Sequence, residues 1–533
     1  MPTALPKQRV AFENNVGGIN DAVQPTKIQP YEAQEIRNVR LSPNGAISER
    51  NGYFIVNTAS IAASAPIVGI HHYRRFSGND DLVLCLNTGT ATDPIIVKRD
   101  SAAATTFTQI STSTVWSGGT PTFAASNDTL IISQTNGDNV QQWDGSATVT
   151  SDLSASAPVA HAVSDFRRHV IFMDIPARPG NWEFSVLGDP TSARDSDRVP
   201  VDRPTKGAHT LYGDHIIGTT ERLVLLSGND RDNFRQDPIR DSVGIENQRS
   251  FVNVENANLL VWPWRGRFYE FDGIRTRVIS NRLGRILLNT SDYFNLSLSD
   301  FSSIQGVNIP SQSRVAFLVM ASGDSQAKYI LNYWYDLRTP DPEEPDFAVG
   351  AWTLDVYDRA FASIGVAVES GDEVLYAGTY DGQLCRLDVG NGDSESSSGA
   401  GDGVAIESRY QTGPITGGVP ELTKRWRDFL AIVKQTGTYS IVVDFGESFG
   451  GGFTGTETTQ ISLAVTGSSA LWGTAVWGTD VWASSLSVQK RVRTGLRAES
   501  IVVRFSANGT NIPWQIESFY FHFQQLPGLR RFP

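Results

Sequence analysis

The amino-acid sequence predicts an all-β protein assembled from repeated short strands and turns, and three observations lead there. Helical periodicity is nearly absent: only residues 31–41 (YEAQEIRNVRL) and 421–431 (ELTKRWRDFLA) carry apolar side chains at helical spacing, and both are expected to be short helices. Elsewhere, short apolar alternations are broken by Gly, Asn, Asp and Pro, the pattern of strands and hairpins. An aromatic followed by Asp-Gly recurs as Trp143-Asp144-Gly145, Phe271-Asp272-Gly273 and Tyr380-Asp381-Gly382, each between two apolar runs.

Asp-Gly suits a type I′ hairpin, which needs positive φ at both central residues, and the preceding aromatic is expected to pack inward. The three copies are 128 and 109 residues apart, consistent with units of ~40–45 residues, the size of a four-stranded propeller blade. The expected architecture is therefore a β-propeller of about six to seven blades over residues 67–412. It follows an N-terminal arm with a short helix and hairpin over 1–66. In the first unit, strands are expected at 67–72, 82–86, 95–98 and 107–110. In the seventh they are expected at 361–368, 373–377, 384–388 and 404–410. Residues 413–533 carry six further short strands (431–433, 439–445, 460–465, 486–492, 501–506 and 514–523), expected to form a β-sandwich-like C-terminal domain. Two polar connections stand out, the acidic Asp341–Asp346 and the Gly/Ser/Asp-rich Gly390–Gly403, which reads as mobile.

The chain has a net charge of −12 and no concentration of Lys and Arg, which excludes a surface built to grip phosphates. Cys85 and Cys385 each sit in an apolar strand-like run and read as buried free thiols. The opening MPTALPKQRVAFENN lacks the pattern of a signal peptide, and no apolar run approaches the ~18 residues that span a bilayer. Folding in a cytoplasm is expected.

None of the seven histidines (His71, His72, His161, His169, His209, His215, His522) lies in an HExxH motif, and no GxSxG elbow or P-loop occurs. The Ser-x-Asp-x-Gly-x-Thr-Trp box of propeller sialidases is also missing. No catalytic residue, metal ligand or cofactor is expected. Asp388, Asn391, Asp393 and Glu395 crowd oxygen atoms together, but without EF-hand spacing, and read as a solvated flexible loop. Trp472, Trp477 and Trp482 recur at intervals of five, with turns expected at Gly473 and Gly478. Their stacking surface suits core or interface packing more than sugar binding.

The most specific segment is N-terminal. It reads Val16-Gly17-Gly18-Ile19-Asn20, then Tyr31-Glu32-Ala33-Gln34-Glu35-Ile36-Arg37-Asn38-Val39, then Pro43-Asn44-Gly45 and Arg50-Asn51-Gly52-Tyr53. This resembles the opening of the tail nozzle (tail tubular, or packaged-DNA stabilisation) proteins of short-tailed bacteriophages: a double Gly, a short helix ending in Asn-Val, and an Arg-x-Gly before the first propeller strand. The Trp-Gly segment near residues 470–483 is also similar. The motif matches cover residues 16–54 and 470–483; Tyr31 stands where the family usually has Asn, and the family's helical stalk insertions are missing.

The resemblance implies a structural virion protein of the viral tail, assembled in the host cytoplasm as a ring, a homohexamer. Its partners would be a portal adaptor or connector protein, tail fibres or tail tip proteins, and double-stranded DNA passing through the lumen during ejection without sequence-specific binding. On this reading Glu32, Arg37, Arg40, Arg50, Trp472, Trp477 and Trp482 are assembly contacts. The acidic residues Asp341, Glu343, Glu344, Asp346, Asp393 and Glu395 are candidate gate loops. The rival expectations are a glycan-binding and a glycan-degrading propeller of a phage tail.

Overall fold

A computed structural model describes residues 7–526 apart from 58, 63, 77, 79, 89–94, 112–118, 155, 231, 240–241, 342, 396–402, 435–438, 447–458, 466–486 and 510–512. Trp472, Trp477 and Trp482 lie outside the described residues.

The alternating segments fold into antiparallel four-stranded sheets in chain order. The first runs Ile67–Arg74, Asp80–Leu86, Ile95–Arg99 and Phe107–Gln109. The next four begin at Pro121, Ala162, Thr205 and Val252, and the last begins at Phe361. These six sheets stand alone. A further antiparallel set, Gln305–Ile309, Arg314–Val319, Tyr329–Pro340 and Ala348–Val356, forms one end of a ten-stranded sheet. The inner strands follow one another round a ring, and Phe361–Glu369 packs back against Ile67–Arg74, so seven sheets close a β-propeller.

Side chains stitch the seams between neighbouring blades. Thr122 Oγ1 accepts from the Val163 amide (3.2 Å), Asn253 donates to the Thr210 carbonyl (3.0 Å), and Gln305 donates to the Ala362 carbonyl (2.8 Å). Ser363 Oγ closes the ring by donating to the Ile67 carbonyl at 2.5 Å. Each bond satisfies a main-chain group that the blade's own ladder leaves free.

The chain crosses the expected boundaries of the arm and the C-terminal domain. The fourth strand of the last blade is Tyr53–Ile55, from the arm, paired antiparallel with Leu384–Leu387. The strand expected at 404–410 instead appears as Ile406–Thr412 in the ten-stranded sheet, between Glu32–Arg37 and Val502–Gly509. The arm and the C-terminal segment together build a β-sandwich. One layer is seven-stranded and includes Gln8–Phe12, Val39–Leu41, Ile47–Glu49, Lys424–Lys434 and Gln515–Gln525. The other is the remainder of the ten-stranded sheet. Phe429 meets Phe445 edge-on at 5.3 Å between the layers, and Phe505 meets Phe519 at 5.0 Å. The same continuous core takes in Phe268, Phe317 and Trp352 of the propeller, so sandwich and propeller share one apolar interior.

Neither expected helix forms. Residues 31–41 give the strands Glu32–Arg37 and Val39–Leu41, with Asn38 between them at φ 55°. Residues 421–431 enter the strand Lys424–Lys434. The only α-helix among the described residues is the four-residue Gly284–Leu287.

The Asp-Gly turns also differ from expectation. Gly145, Gly273 and Gly382 have positive φ, but the aspartates before them do not, so these are not type I′ turns. Asp144 Oδ1 accepts from the amides of Ser146 (2.9 Å) and Ala147 (2.7 Å), and Asp272 Oδ1 from those of Ile274 (2.9 Å) and Arg275 (2.8 Å). Aspartate is selected here as a side-chain acceptor that folds the turn. Trp143 and Phe271 are buried as expected, whereas Tyr380 is half-buried at one mouth of the propeller.

Candidate functional site

The arm meets the propeller in a buried lattice of ion pairs. Its hub is Asn38, whose left-handed conformation turns the chain between two strands, a geometry Asn tolerates better than most residues. Asn38 Oδ1 accepts from the Val356 amide (2.7 Å) and Arg50 Nε (2.9 Å), and Nδ2 donates to the Glu407 carbonyl (2.8 Å). One side chain thus ties the arm, the propeller and the sandwich together.

Around it sit three arginines and three aspartates. Arg50, fully buried, holds Asp393 bidentately at 2.6 and 2.7 Å and stacks over Tyr357 at 4.1 Å. Arg40 grips Asp355 (2.6 Å) and Asp388 (2.9 Å), while Arg314 reaches Asp388 and Asn332. Burial opposes the charge on Arg40, but Asp355 and Asp388 outweigh it and raise its pKa. Burial likewise pushes Asp388 up, and Arg314 and Arg40 overcome it, so its pKa is lowered. Beside this lattice, burial holds the Glu49 carboxyl at about 8, opposed by a hydrogen bond from Ser408 and the charge of Arg50. Glu49 is therefore protonated at neutral pH.

Two glycines are required here. A Cβ on Gly52 would lie 1.7 Å from the Gly392 carbonyl oxygen. Gly18, at φ +72°, abuts the Trp352 backbone, where a Cβ would approach within 2.5 Å of its nitrogen. The paired glycines and Arg-x-Gly of the N-terminal motif are thus explained by close backbone packing.

The charged residues expected at subunit contacts are largely spent inside the chain. Glu32 is buried, accepts from Asn20 (2.7 Å) and pairs with Arg282 at 3.3 Å. Arg40 and Arg50 belong to the lattice. Arg37, half-buried, is the most accessible of the four and pairs with Glu407 at 3.3 Å. Of the acidic residues expected at gates, Asp393 and Glu395 are buried, so the solvated loop expected there is a packed segment. Asp341 is also buried and accepts from the amides of Glu343 (2.8 Å) and Glu344 (3.1 Å). Glu343, Glu344 and Asp346 are exposed at the tip of the Tyr329–Pro340/Ala348–Val356 hairpin. Cys85 and Cys385 are buried free thiols, as expected. Asp355 and Arg314 carried no local sequence signal, because the lattice joins them to the arm across the chain, as Arg40 meets Asp355 315 positions away.

A second site lies on the propeller axis. Inner-strand residues from all seven blades converge around two adjoining cavities of ≈ 320 and ≈ 560 Å³, which share Thr122, Gln248, Arg249 and Gln305 in their walls. The larger is walled by aromatic and imidazole rings, including His71 stacked on Phe123 at 4.8 Å and His209 against Phe251 at 5.4 Å. Burial lowers both histidines to about 4, so they are neutral at pH 7. The smaller opens past the exposed Thr135, Ser302 and Ser303, and its wall carries Asp174, which binds Lys206 (2.9 Å) and faces His161 (3.4 Å).

One Ser–His contact has the spacing of a nucleophile and base, Ser164 Oγ to His215 Nε2 at 2.9 Å. It is sealed in the core, its other nitrogen meets Thr210 Oγ1 rather than a carboxylate, and burial lowers His215 to about 3. That imidazole is too weak a base to activate a hydroxyl. Among the described residues, no group of three or more His, Cys, Asp or Glu is placed to hold a metal ion, and no helix is long and apolar enough to cross a membrane.

No family model matches the chain, and no curated protein matches it. Among solved structures it is similar to BBS1N in complex with ARL6DN, with a TM-score of 0.39 and 12% identity over 64% of this chain and 97% of that one. It is similar to BamB from Moraxella catarrhalis (TM-score 0.36, 12% identity, 72% and 97% covered) and to the Pan2 WD40 domain of Neurospora crassa (TM-score 0.37, 9% identity, 64% and 96% covered). Identities this low speak to fold alone.

Proposed function

We propose that the chain is a structural subunit of the tail nozzle of a short-tailed bacteriophage, a ring component that retains packaged DNA and conducts it during ejection. The observation that carries this reading is the arm. Residues 16–54, which bear the sequence resemblance, supply strands to both sandwich layers and to the last blade. Gly18, Asn38 and Arg50 of that motif each fasten the arm to the strand Ala348–Val356, and Gly52 packs against Gly392. A wall subunit that must resist the pressure of packaged DNA is served by such a fused, ion-paired body. The net charge of −12 fits a conduit, since a wall that gains nothing from counterion release lets DNA slide.

On this proposal the function is non-enzymatic, and the partners are further copies of the chain, a portal adaptor, and fibres or tip proteins. Exposed Glu343, Glu344 and Asp346 are the acidic residues left to line a lumen. Electron microscopy of the purified protein, alone and with the connector of the same virion, tests the reading. Rings enclosing a lumen wide enough for duplex DNA are expected. A protein that stays monomeric in both conditions, or a lumen too narrow in every state, would overturn it.

A further inference from the structure

The smaller of the two axial cavities has a charge balance opposite to that of the chain around it. The more buried arginines each face a carboxylate: Arg40 meets Asp355, Arg50 meets Asp393, Arg99 meets Glu369, Arg282 meets Glu32 and Arg314 meets Asp388. Arg249 does not. It stands between the two cavities and donates from Nη2 to the Val68 carbonyl at 3.2 Å. A guanidinium has five N–H donors, so most of this one is left to the cavity. Burial lowers its pKa only to about 10, with Tyr380 and Cys85 pulling the other way, so it stays charged at neutral pH.

The rest of the smaller cavity does not neutralise it. Asp174 is the only carboxylate in that wall, and it is already paired with Lys206. The wall therefore carries a net positive charge inside a protein whose own net charge is −12. Around the opening are hydroxyl and amide groups of Thr120, Thr135, Asn247, Ser302 and Ser303. In the wall of the larger cavity, Asn253 Oδ1 and Asn308 Oδ1 have no protein donor. Arg249 is half-buried, so its guanidinium has given up part of its hydration, a cost that an anion would offset, and its planar fork matches the geometry of a carboxylate or phosphate.

We propose that the axial cavity binds a small hydroxylated oxyanion, a sugar acid or sugar phosphate, whose anionic group pairs with Arg249. The sugar hydroxyls meet the hydroxyl and amide rim. A volume of ≈ 320 Å³ is at the lower end of ligand-binding pockets, the size range of a monosaccharide rather than a chain of them.

The test is calorimetric titration of the full chain with four probes: glucuronate, glucose 6-phosphate, inorganic phosphate and neutral glucose. Arg249→Met and Arg249→Lys are titrated alongside. Saturable binding of glucuronate or glucose 6-phosphate is expected, at least ten-fold tighter than glucose. Arg249→Met should weaken it at least ten-fold and Arg249→Lys should retain part of it. Glucuronate alone would assign the site to carboxylates, and glucose 6-phosphate alone to phosphate esters. The proposal is overturned if neither sugar anion binds, if glucose or inorganic phosphate binds as tightly as both, or if Arg249→Met binds unchanged. Should Arg249→Met not fold, the wild-type titrations and Arg249→Lys decide, and undiminished binding by Arg249→Lys then counts against the bidentate pairing. Ring formation has no part in the readout, so this result and the nozzle reading stand or fall separately.

Discussion

Replacing Arg50 with Met tests the junction most directly. The Arg50 side chain makes five hydrogen bonds, two to Asp393 and one each to Asn38 Oδ1, the Asn51 carbonyl and the Val356 carbonyl. Methionine preserves much of the apolar stem but leaves Asp393, whose side chain is 4% exposed, without its counter-ion. Removing one member of a buried pair costs about 3–5 kcal/mol, a large share of the roughly 5–15 kcal/mol by which proteins are stable. Asp393→Asn strands the guanidinium instead and should cost a comparable amount. The double variant strands neither charge, so a coupling of about 2–3 kcal/mol is expected between the two sites. Denaturant unfolding followed by tryptophan fluorescence measures the cycle. Amide exchange should speed up first in Val39–Leu41 and Ala348–Val356, on either side of the lattice. A loss below about 1 kcal/mol for Arg50→Met, or additive single effects, would refute the claim that this pair clamps arm to propeller.

Glu49 gives a pH prediction. Its folded pKa of about 8 lies above its ordinary value of 4.5, so its contribution is fully present below pH 4.5 and is lost as pH rises towards 8. Melting temperatures of Glu49→Gln should lie above those of wild type at pH 8.5 and converge with them near pH 4.5. His215 has the opposite sign: lowered from 6.5 to about 3, it supports the fold above pH 6.5 and withdraws that support as acid protonates the unfolded chain. Imidazole resonances should show His215 untitrated down to about pH 4, and a midpoint near 6.5 would show it is not sealed. Gly52→Ala forces a methyl to 1.7 Å from the Gly392 oxygen. It should destabilise by more than about 3 kcal/mol and expose Tyr53–Ile55 to proteolysis, whereas Gly371→Ala, with open space at its Cβ, is expected to lose only backbone strain, about 1 kcal/mol.

Where a blade's strands are consecutive, their alternation was legible: strands expected at 82–86 and 95–98 correspond to Asp80–Leu86 and Ile95–Arg99. The two mistaken helices have separate physical causes. Lys424–Lys434 contains a register shift between Trp426 and Asp428. The bulge moves the buried positions from Lys424, Trp426 and Asp428 to Phe429, Ala431 and Val433, which breaks the period of two and imitates helical spacing. Glu32–Arg37 is rich in helix formers, but Glu32 and Glu35 are buried beside Arg282 and Arg409, a tertiary context that overrides propensity. Arg40 and Arg50 stand out in the sequence as charged residues, yet their partners Asp355 and Asp393 are more than three hundred positions away. No local pattern announces such a pairing. Arg249 has no distinguishing pattern in the sequence, because only the enclosing ring of strands sets it between two cavities.

The strand Tyr53–Ile55 completes its sheet only with Leu384–Leu387, and Gln8–Phe12 only with Phe519–Phe523. During synthesis these early segments leave the ribosome long before their partners exist. The intervening blades can condense one by one as they emerge, but the ring stays open until residue 387 arrives, and the sandwich longer still. Non-local closures of this kind are slow, and the waiting edges are sticky. Maturation should therefore be switch-like: a nascent chain halted before residue 384 would be protease-sensitive over residues 7–57, and one released past residue 525 would not.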